Sequence, residues 1–212
     1  MNNFEFILQD VIFEKNVKLT EDEYWDICLA LRCTSEMYKD TGEIEHRRKS
    51  RDFLKLRDKL KSSLPNNFEW ISNSDTETLL TAFSVWGIKE TLRATVGMFA
   101  LALWDHKYKK LILARDRMGE KPLYFGNVDR SFVFASELKA IKAFPNFNNP
   151  ISKNSLKEFL KYNYIPAPYS IYESIYKLMP GSYAIVNQDG SFHHDYFWSV
   201  NETFKQGSLN MF

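Results

Sequence analysis

The sequence has few cysteines, almost no net charge and no long apolar run. Its 212 residues include two cysteines, too few for a disulfide framework, and this favours a reducing, cytoplasmic location. Lysine and arginine number 28 against 27 acidic residues, which argues against generic nucleic-acid binding. The longest apolar run, Val96 to Trp104, is shorter than the about 20 residues of a membrane span. We therefore expect a soluble protein without a nucleic-acid or membrane partner.

The motifs that identify many enzyme classes are also missing. The chain contains no GxxxxGK[ST], GxGxxG or GxSxG pattern. Cys28 and Cys33 lack metal-ligand spacing, so burial is their expected role. The adjacent His193 and His194 point to opposite faces of a strand, which argues against a shared metal ion. No metal site is predicted.

Three helices are predicted in the first half of the chain. Apolar spacing indicates helices over residues 21–33 and 47–61, the second with a densely charged, solvated face. Ser74 and Glu77 form a capping box, which starts a third helix of about 12 residues. Gly87 is predicted to end that helix as its C-cap residue.

After residue 96 the hydrophobic period changes to that of strands. Four short apolar runs joined by polar turns predict one antiparallel sheet: MFALALW, LILA, LYFG and SFVFAS. A short helix before Pro145, a helix over 153–162 capped by Ser152 and a hairpin at NQDG follow. Residues 201–212 are predicted to be a disordered tail. The expected class is α+β, with helices flanking mainly antiparallel sheets.

Two charged features carry the chemistry that the residues themselves suggest. Asp75 stands at a predicted helix N-terminus, where a carboxylate either caps the helix or presents a fixed anion to an ammonium group. The segment 115–122, RDRMGEKP, holds five charges after a buried strand. We expect an ion-pair network to order this loop.

Several long stretches resemble, in order, the glutaminase domain of glutamine-hydrolysing asparagine synthases. They are SDTETLLTAFSVWG, GMFALALWD, LARDRMGEKPLYFG, FASELKAI and YNYIPAPYSIYESIYKLMPG. The resemblance implies an N-terminal-nucleophile (Ntn) hydrolase fold, a four-layer αββα sandwich, here incomplete. It divides the chain into a divergent, partly helical leader over 1–40, an amidotransferase-like domain over 41–200 and the tail.

The same resemblance implies a glutamine site. Domains of this family hydrolyse glutamine to glutamate and ammonia, which a second domain uses in the ATP-dependent amidation of aspartate. Asp75 matches the aspartate that holds the glutamine ammonium group. Gly42 and Glu43 match the family's oxyanion and substrate-binding segment, although Thr41 stands where the family has asparagine.

One departure from the family concerns the nucleophile. The family uses a cysteine directly after the initiator methionine, with the freed amine as base, whereas residue 2 here is asparagine. We therefore assign no catalytic residue and expect a fragment or degenerate homologue without glutaminase activity. ATP and magnesium belong to the second domain, so this chain is expected to bind no cofactor.

The partners implied by the resemblance are glutamine as ligand, and a synthase domain or a second copy of the chain. The alternative function is a non-catalytic module that binds an amino acid or docks a partner.

Overall fold

The structure, a computed structural model, describes residues 25–28, 54–71 and 75–209. For residues 25–28 and 206–209 it describes the backbone alone. The predicted site residues Gly42 and Glu43 lie outside the described residues, as do Asn2 and Cys33.

The described elements run from a first strand to a C-terminal helix. The helices are α1 over 54–61, α2 Asp75–Ala94, α3 Leu138–Lys142, α4 Lys153–Tyr162 and α5 Val200–Leu209. The strands are β1 Trp25–Cys28, β2 Ala100–Asp105, β3 Lys110–Arg115, β4 Tyr124–Val128, β5 Ser131–Ala135, β6 Ile175–Lys177, β7 Ser182–Val186 and β8 Phe192–Tyr196.

The strands form two antiparallel sheets instead of the single sheet predicted for the first four of them. One sheet has the order β1-β2-β3-β7-β8 and the other the order β5-β4-β6. The loop 116–123 carries the chain from one sheet to the other. The prediction was wrong because short apolar strands specify burial on both faces but not which neighbour completes their hydrogen bonds.

Three apolar clusters stack these elements into four layers. Helices α1 and α2 cover one face of the five-stranded sheet through Leu60, Phe83 and Leu101. The two sheets meet face to face through residues such as Leu113 and Phe125. On the far side α3 packs on the three-stranded sheet. The order helix, sheet, sheet, helix confirms the α+β class and the predicted sandwich.

Strand β1 replaces part of the helix predicted over 21–33. Trp25 pairs with Asp105 and Cys28 with Ala102 across an antiparallel ladder. The apolar residues of this segment have helical spacing, but the segment pairs with β2 instead. This pairing satisfies backbone hydrogen-bond donors and acceptors at the edge of β2, which outweighs the local preference for a helix.

Helix α2 is longer than predicted because Gly87 kinks it without ending it. Gly87 has φ 76° and ψ −178°, and helical residues continue to Ala94. Thr91 and Leu92 beyond the kink are fully buried. Burial of this second segment against the core explains why the helix resumes.

The later elements match the prediction, except at the C-terminus. Helix α3 ends before Pro145, the side chain of Ser152 accepts the Ser155 amide at the start of α4, and β7 pairs with β8. The predicted disordered tail is wrong for residues up to 209, which form α5. The Ser199 hydroxyl caps α5 by accepting the Glu202 amide at 3.2 Å. The pair Ser199 and Glu202 has capping-box spacing, a signal missed in the sequence.

Replacing Gly126 by alanine is expected to destabilise the fold by about 1–3 kcal/mol, the usual cost of overpacking. An added Cβ would overlap the Ser174 carbonyl oxygen and crowd Ile175 Cα, at the point where β4 meets β6. Gly190→Ala is the matched control, since its Cβ meets nothing within 4 Å and only its φ of 80° is strained. Urea unfolding should show a larger loss of unfolding free energy for Gly126→Ala than for Gly190→Ala. Equal losses would contradict the close approach of Gly126 to the Ser174 carbonyl group.

Candidate functional site

The predicted site residue that the structure places is Asp75, the first residue of α2. Its side chain is half-buried, and one carboxylate oxygen accepts the Thr76 amide at 2.9 Å. Within the described part of the chain, the other oxygen has no hydrogen-bond partner. The carboxylate lies at the N-terminal end of α2, toward which the positive end of the helix dipole points. Asp75 thus combines the capping position with an anion at the protein surface.

The other acidic residue in this turn, Glu77, points inward. Its side chain is 2% exposed. One carboxylate oxygen accepts the Ile71 amide at 2.8 Å, and the other lies 3.4 Å from the Arg57 guanidinium. The Ser74 part of the predicted capping box lies outside the described residues. Glu77 instead ties the segment before α2, and helix α1, to the first turn of α2.

Arg57 is the partner that the sequence interpretation missed. Its Nε donates to the Thr78 hydroxyl at 2.8 Å, and its guanidinium lies 4.1 Å from the centroid of the Trp70 ring. Arg57 is 9% exposed, so it does not lie on the solvated face predicted for residues 47–61. The missed signal was spacing, because Arg57 lies four residues after Phe53 and three before Leu60, on the apolar side of the helix.

Together these contacts fix the N-terminal turn of α2 from two directions. Arg57 holds Glu77 and Thr78 from α1, and Ile71 holds Glu77 from the preceding segment. Removing one partner of a buried pair of this kind is strongly destabilising, because it leaves the other charge buried without its partner. Through these contacts the cluster fixes the backbone turn that carries Asp75.

The charged loop over 115–122 is ordered by main-chain hydrogen bonds instead of the predicted ion pairs. Asp116 is 1% exposed, and its carboxylate accepts the amides of Met118, Glu120 and Lys121 at 2.9–3.1 Å. A carboxylate that accepts hydrogen bonds from several backbone amides holds those amides together in one tight turn. Arg115 and Arg117 contribute as hydrogen-bond donors, and their acceptors are backbone carbonyl groups.

The guanidinium of Arg115 donates to the carbonyls of Gly119, Lys121 and Leu178. Arg117 similarly donates to the carbonyls of Arg93 and Thr95. Burial lowers the pKa of Arg115, a shift that Asp116 partly opposes. The loop therefore joins both sheets and the end of α2, and its role is structural.

The two adjacent histidines face opposite sides of β8, as predicted. His193 pairs with Ile185 and is exposed, whereas His194 pairs with Ala184 and is half-buried. Among the described residues no group of three or more His, Cys, Asp or Glu side chains lies close enough to hold a metal ion. No described helix is long and apolar enough to cross a membrane. The expected absence of a cofactor stays a prediction.

The protein is expected to lose stability as pH falls below the ordinary histidine value of 6.5, in part because of His194. Burial lowers the pKa of His194, and the His193 charge adds to this shift while Asp195 opposes it. The unfolded chain then binds more protons, so stability present above 6.5 is lost at lower pH. Between pH 7.5 and pH 5.5, the thermal unfolding midpoint should fall less for His194→Gln than for the parent chain.

The matched control for this pH profile is His193→Gln, which alters the exposed neighbouring ring and should keep most of the pH dependence. Parallel profiles for the parent chain and His194→Gln would contradict the assignment.

Comparison with known proteins identifies the family. Residues 51–198 match the glutamine amidotransferase domain. Asparagine synthetase [glutamine-hydrolyzing] 1 of Bacillus subtilis is 28% identical over 150 residues, which cover 71% of this chain and 23% of the relative. Asparagine synthetase [glutamine-hydrolyzing] 3 of the same organism is 34% identical over 118 residues, 55% of this chain and 19% of the relative.

The fold has a counterpart among solved structures. Glutamine phosphoribosylpyrophosphate amidotransferase of B. subtilis superposes with a TM-score of 0.54 at 16% identity, over 89% of this chain and 32% of that chain. The chain spans about a fifth of the length of these two curated relatives. The family match covers more than half of the chain and includes α2, strands β2 to β8 and the charged loop. The chain therefore belongs to the glutamine amidotransferase domain family.

Proposed function

We propose that this domain recognises glutamine through its α-amino group, with Asp75 as the ammonium-binding carboxylate. The observation that carries the proposal is the position of Asp75, half-buried at the positive end of α2 with one oxygen not hydrogen-bonded within the described residues. The ammonium of an amino acid is the complementary group for a fixed carboxylate. Gly42 and Glu43 are proposed to complete the site on the basis of the family resemblance.

The proposed biological role is within an asparagine synthase-type amidotransferase. The relatives are named as glutamine-hydrolysing asparagine synthetases, and about four fifths of their length lies outside the part that this chain matches. We propose that a synthetase component of this kind is the partner, with ATP and magnesium bound there and aspartate as the nitrogen acceptor. A cytoplasmic location and a homodimer stay predictions.

The polypeptide of this sequence is proposed to bind glutamine without hydrolysing it. Amide cleavage in the family needs a thiol beside a free α-amino group. Asparagine stands at residue 2, and the two cysteines, Cys28 and Cys33, lie within the chain, where their backbone nitrogens are acylated. A covalent mechanism that lacks its nucleophile loses activity by about 10⁶-fold, by analogy with proteases.

Calorimetric titration with glutamine, together with an assay for glutamate release, tests both parts of the proposal. Saturable heat without turnover is the expected result. Turnover at ordinary amidotransferase rates would overturn the inactivity, and the absence of heat would overturn glutamine recognition. Titration with N-acetylglutamine is the matched ligand control, because acetylation removes the ammonium charge and leaves the rest of the molecule intact.

A further inference from the structure

Helix α4 turns a polar side toward the protein and its apolar residues toward solvent. Along Lys153–Tyr162 the buried residue is Ser155, at 4% exposure, and Glu158 on the same side is half-buried. A surface helix normally turns its apolar stripe toward the core and its polar residues toward water. Here small and polar residues face the protein instead.

The apolar residues of α4 and the following turn consequently face solvent. They are between 41% and 73% exposed: Leu156, Phe159, Leu160, Tyr162 and Tyr164. The rings of Tyr162 and Tyr164 lie 6.3 Å apart, so the patch continues past the helix end. We call these five residues the α4 patch. Contiguous exposed apolar residues bordered by charges mark interaction sites in soluble proteins.

The helix is held in this orientation at its N-terminal end. The Ser152 amide donates to the Ile171 carbonyl at 2.9 Å, and Ile151 forms a β-bridge with Tyr172. The side-chain amide of Asn149 donates to the carbonyls of Asn127 and Glu173, which belong to other parts of the fold. These bonds fix the direction in which α4 leaves the body and thus the exposure of the patch.

A row of lysines borders one edge of the α4 patch. Lys153, Lys157 and Lys161 recur every four residues, a spacing that places them along one side of a helix. Their charge predicts a complementary row of carboxylates on whatever covers the patch. Antiparallel pairing of two copies through α4 would instead bring the lysine rows together, which disfavours a second copy of this chain as the occupant.

We infer that the α4 patch docks this domain onto its ATP-dependent synthetase partner, on an apolar groove bordered by aspartate and glutamate. This inference rests on the proposed function for the identity of the partner. The apolar residues supply the buried area and the lysines set the register of the helix. A partner of this chemistry covers the apolar residues of α4 that are exposed in the described part of the chain.

Photocrosslinking with the full chain, in the cells that make it, tests the inference. The photoreactive amino acid p-benzoylphenylalanine replaces Leu160, which is 73% exposed, or Tyr108 in the β2–β3 turn, which is 62% exposed, as a site control. Mass spectrometry of the crosslinked peptides then identifies both the captured protein and its contact segment. We expect one ATP-dependent ligase, captured through an apolar segment flanked by carboxylates, from position 160 alone.

Charge reversal tests the register part of the inference. The substitutions Lys153→Glu, Lys157→Glu and Lys161→Glu should reduce the crosslink at position 160 by about tenfold or more, as expected when charge pairs at an interface become repulsive. Lys107→Glu and Lys109→Glu in the β2–β3 turn, with Lys110→Glu at the first residue of β3, make the same change of net charge and should leave the crosslink unchanged. Thermal unfolding checks that both triple variants fold, and Lys157→Glu alone is the milder test.

Four results would overturn the inference: capture of a second copy of the chain, capture of lipid, a yield no higher than at Tyr108, or a yield that the α4 charge reversal leaves unchanged. Failure of the proposed function is distinguishable from these results. If the parent chain did not bind glutamine, the proposed function would fail while the crosslink could still form. If the inference about α4 holds, the α4 variants should lose the crosslink but bind glutamine like the parent.

Discussion

Replacing Asp75 by asparagine is expected to weaken glutamine binding by about 10- to 150-fold, because a charge-assisted hydrogen bond contributes about 1.5–3 kcal/mol. The amide side chain keeps an oxygen that can accept the Thr76 amide, so the start of α2 should be preserved. The substitution removes the negative charge that would face the ligand's ammonium group. Calorimetric titration of the parent chain and of Asp75→Asn measures the difference.

The matched controls separate loss of charge from loss of structure. Asp189→Asn changes an exposed aspartate in the β7–β8 turn, where one carboxylate oxygen also accepts a backbone amide. This variant should bind glutamine as the parent does. N-acetylglutamine should bind the parent weakly and be indifferent to Asp75→Asn. Equal glutamine affinity for the parent and Asp75→Asn would refute the assignment of Asp75 as the ammonium-binding group.

Replacing Glu77 by alanine is expected to destabilise the protein by about 3–5 kcal/mol, the cost of removing one member of a buried ion pair. The substitution leaves the Arg57 guanidinium, whose side chain is 11% exposed, without this carboxylate. It also removes the acceptor of the Ile71 amide. Urea unfolding followed by far-ultraviolet circular dichroism measures the change in the free energy of unfolding.

Two comparisons identify the origin of that loss. The double variant Arg57→Met with Glu77→Leu should lose less stability than Glu77→Ala, because apolar replacement of both partners leaves no buried charge. Asp58→Ala breaks the Lys61–Asp58 pair, in which both side chains are 69% exposed, and should change stability by less than about 1 kcal/mol. A similar loss for Asp58→Ala and Glu77→Ala would show that burial of the Arg57–Glu77 pair is unimportant.

Local signals in the sequence predicted several elements well. Ser152 determines the start of α4 because its hydroxyl satisfies an amide within the same turn. The NQDG turn determines the β7–β8 hairpin for a similar reason, since the two strands are neighbours along the chain. Such signals depend on few residues and short separations, so they survive without knowledge of the rest of the fold.

Elements that depend on distant partners were not predictable in this way. Strand β1 pairs with β2 across more than 70 residues of sequence, which helical spacing at 21–33 does not anticipate. The backbone conformation of Gly87 would end an isolated helix, but here burial of Leu92 favours a second helical segment after the kink. In both cases long-range burial or pairing outweighed the local preference.

The site divides along the same line. The resemblance in sequence is the basis for proposing Asp75 as a site residue, while the neighbouring pair of Arg57 and Glu77 became evident only from the packing of α1 against α2. Charge density alone had placed Arg57 on a solvated face. Burial of an arginine depends on what surrounds it, and here Trp70 and Thr78 supply those surroundings.

The sequence by itself determined the α+β class, the positions of most helices and strands in the second half of the chain, and the family. Only the tertiary structure decided the division of the strands between two sheets, the inward direction of Glu77 and the outward direction of the α4 patch. The physical reason is that composition and periodicity record how much of each element is apolar, whereas the neighbours that cover an apolar face, or leave it in water, are set by contacts between residues far apart in the chain.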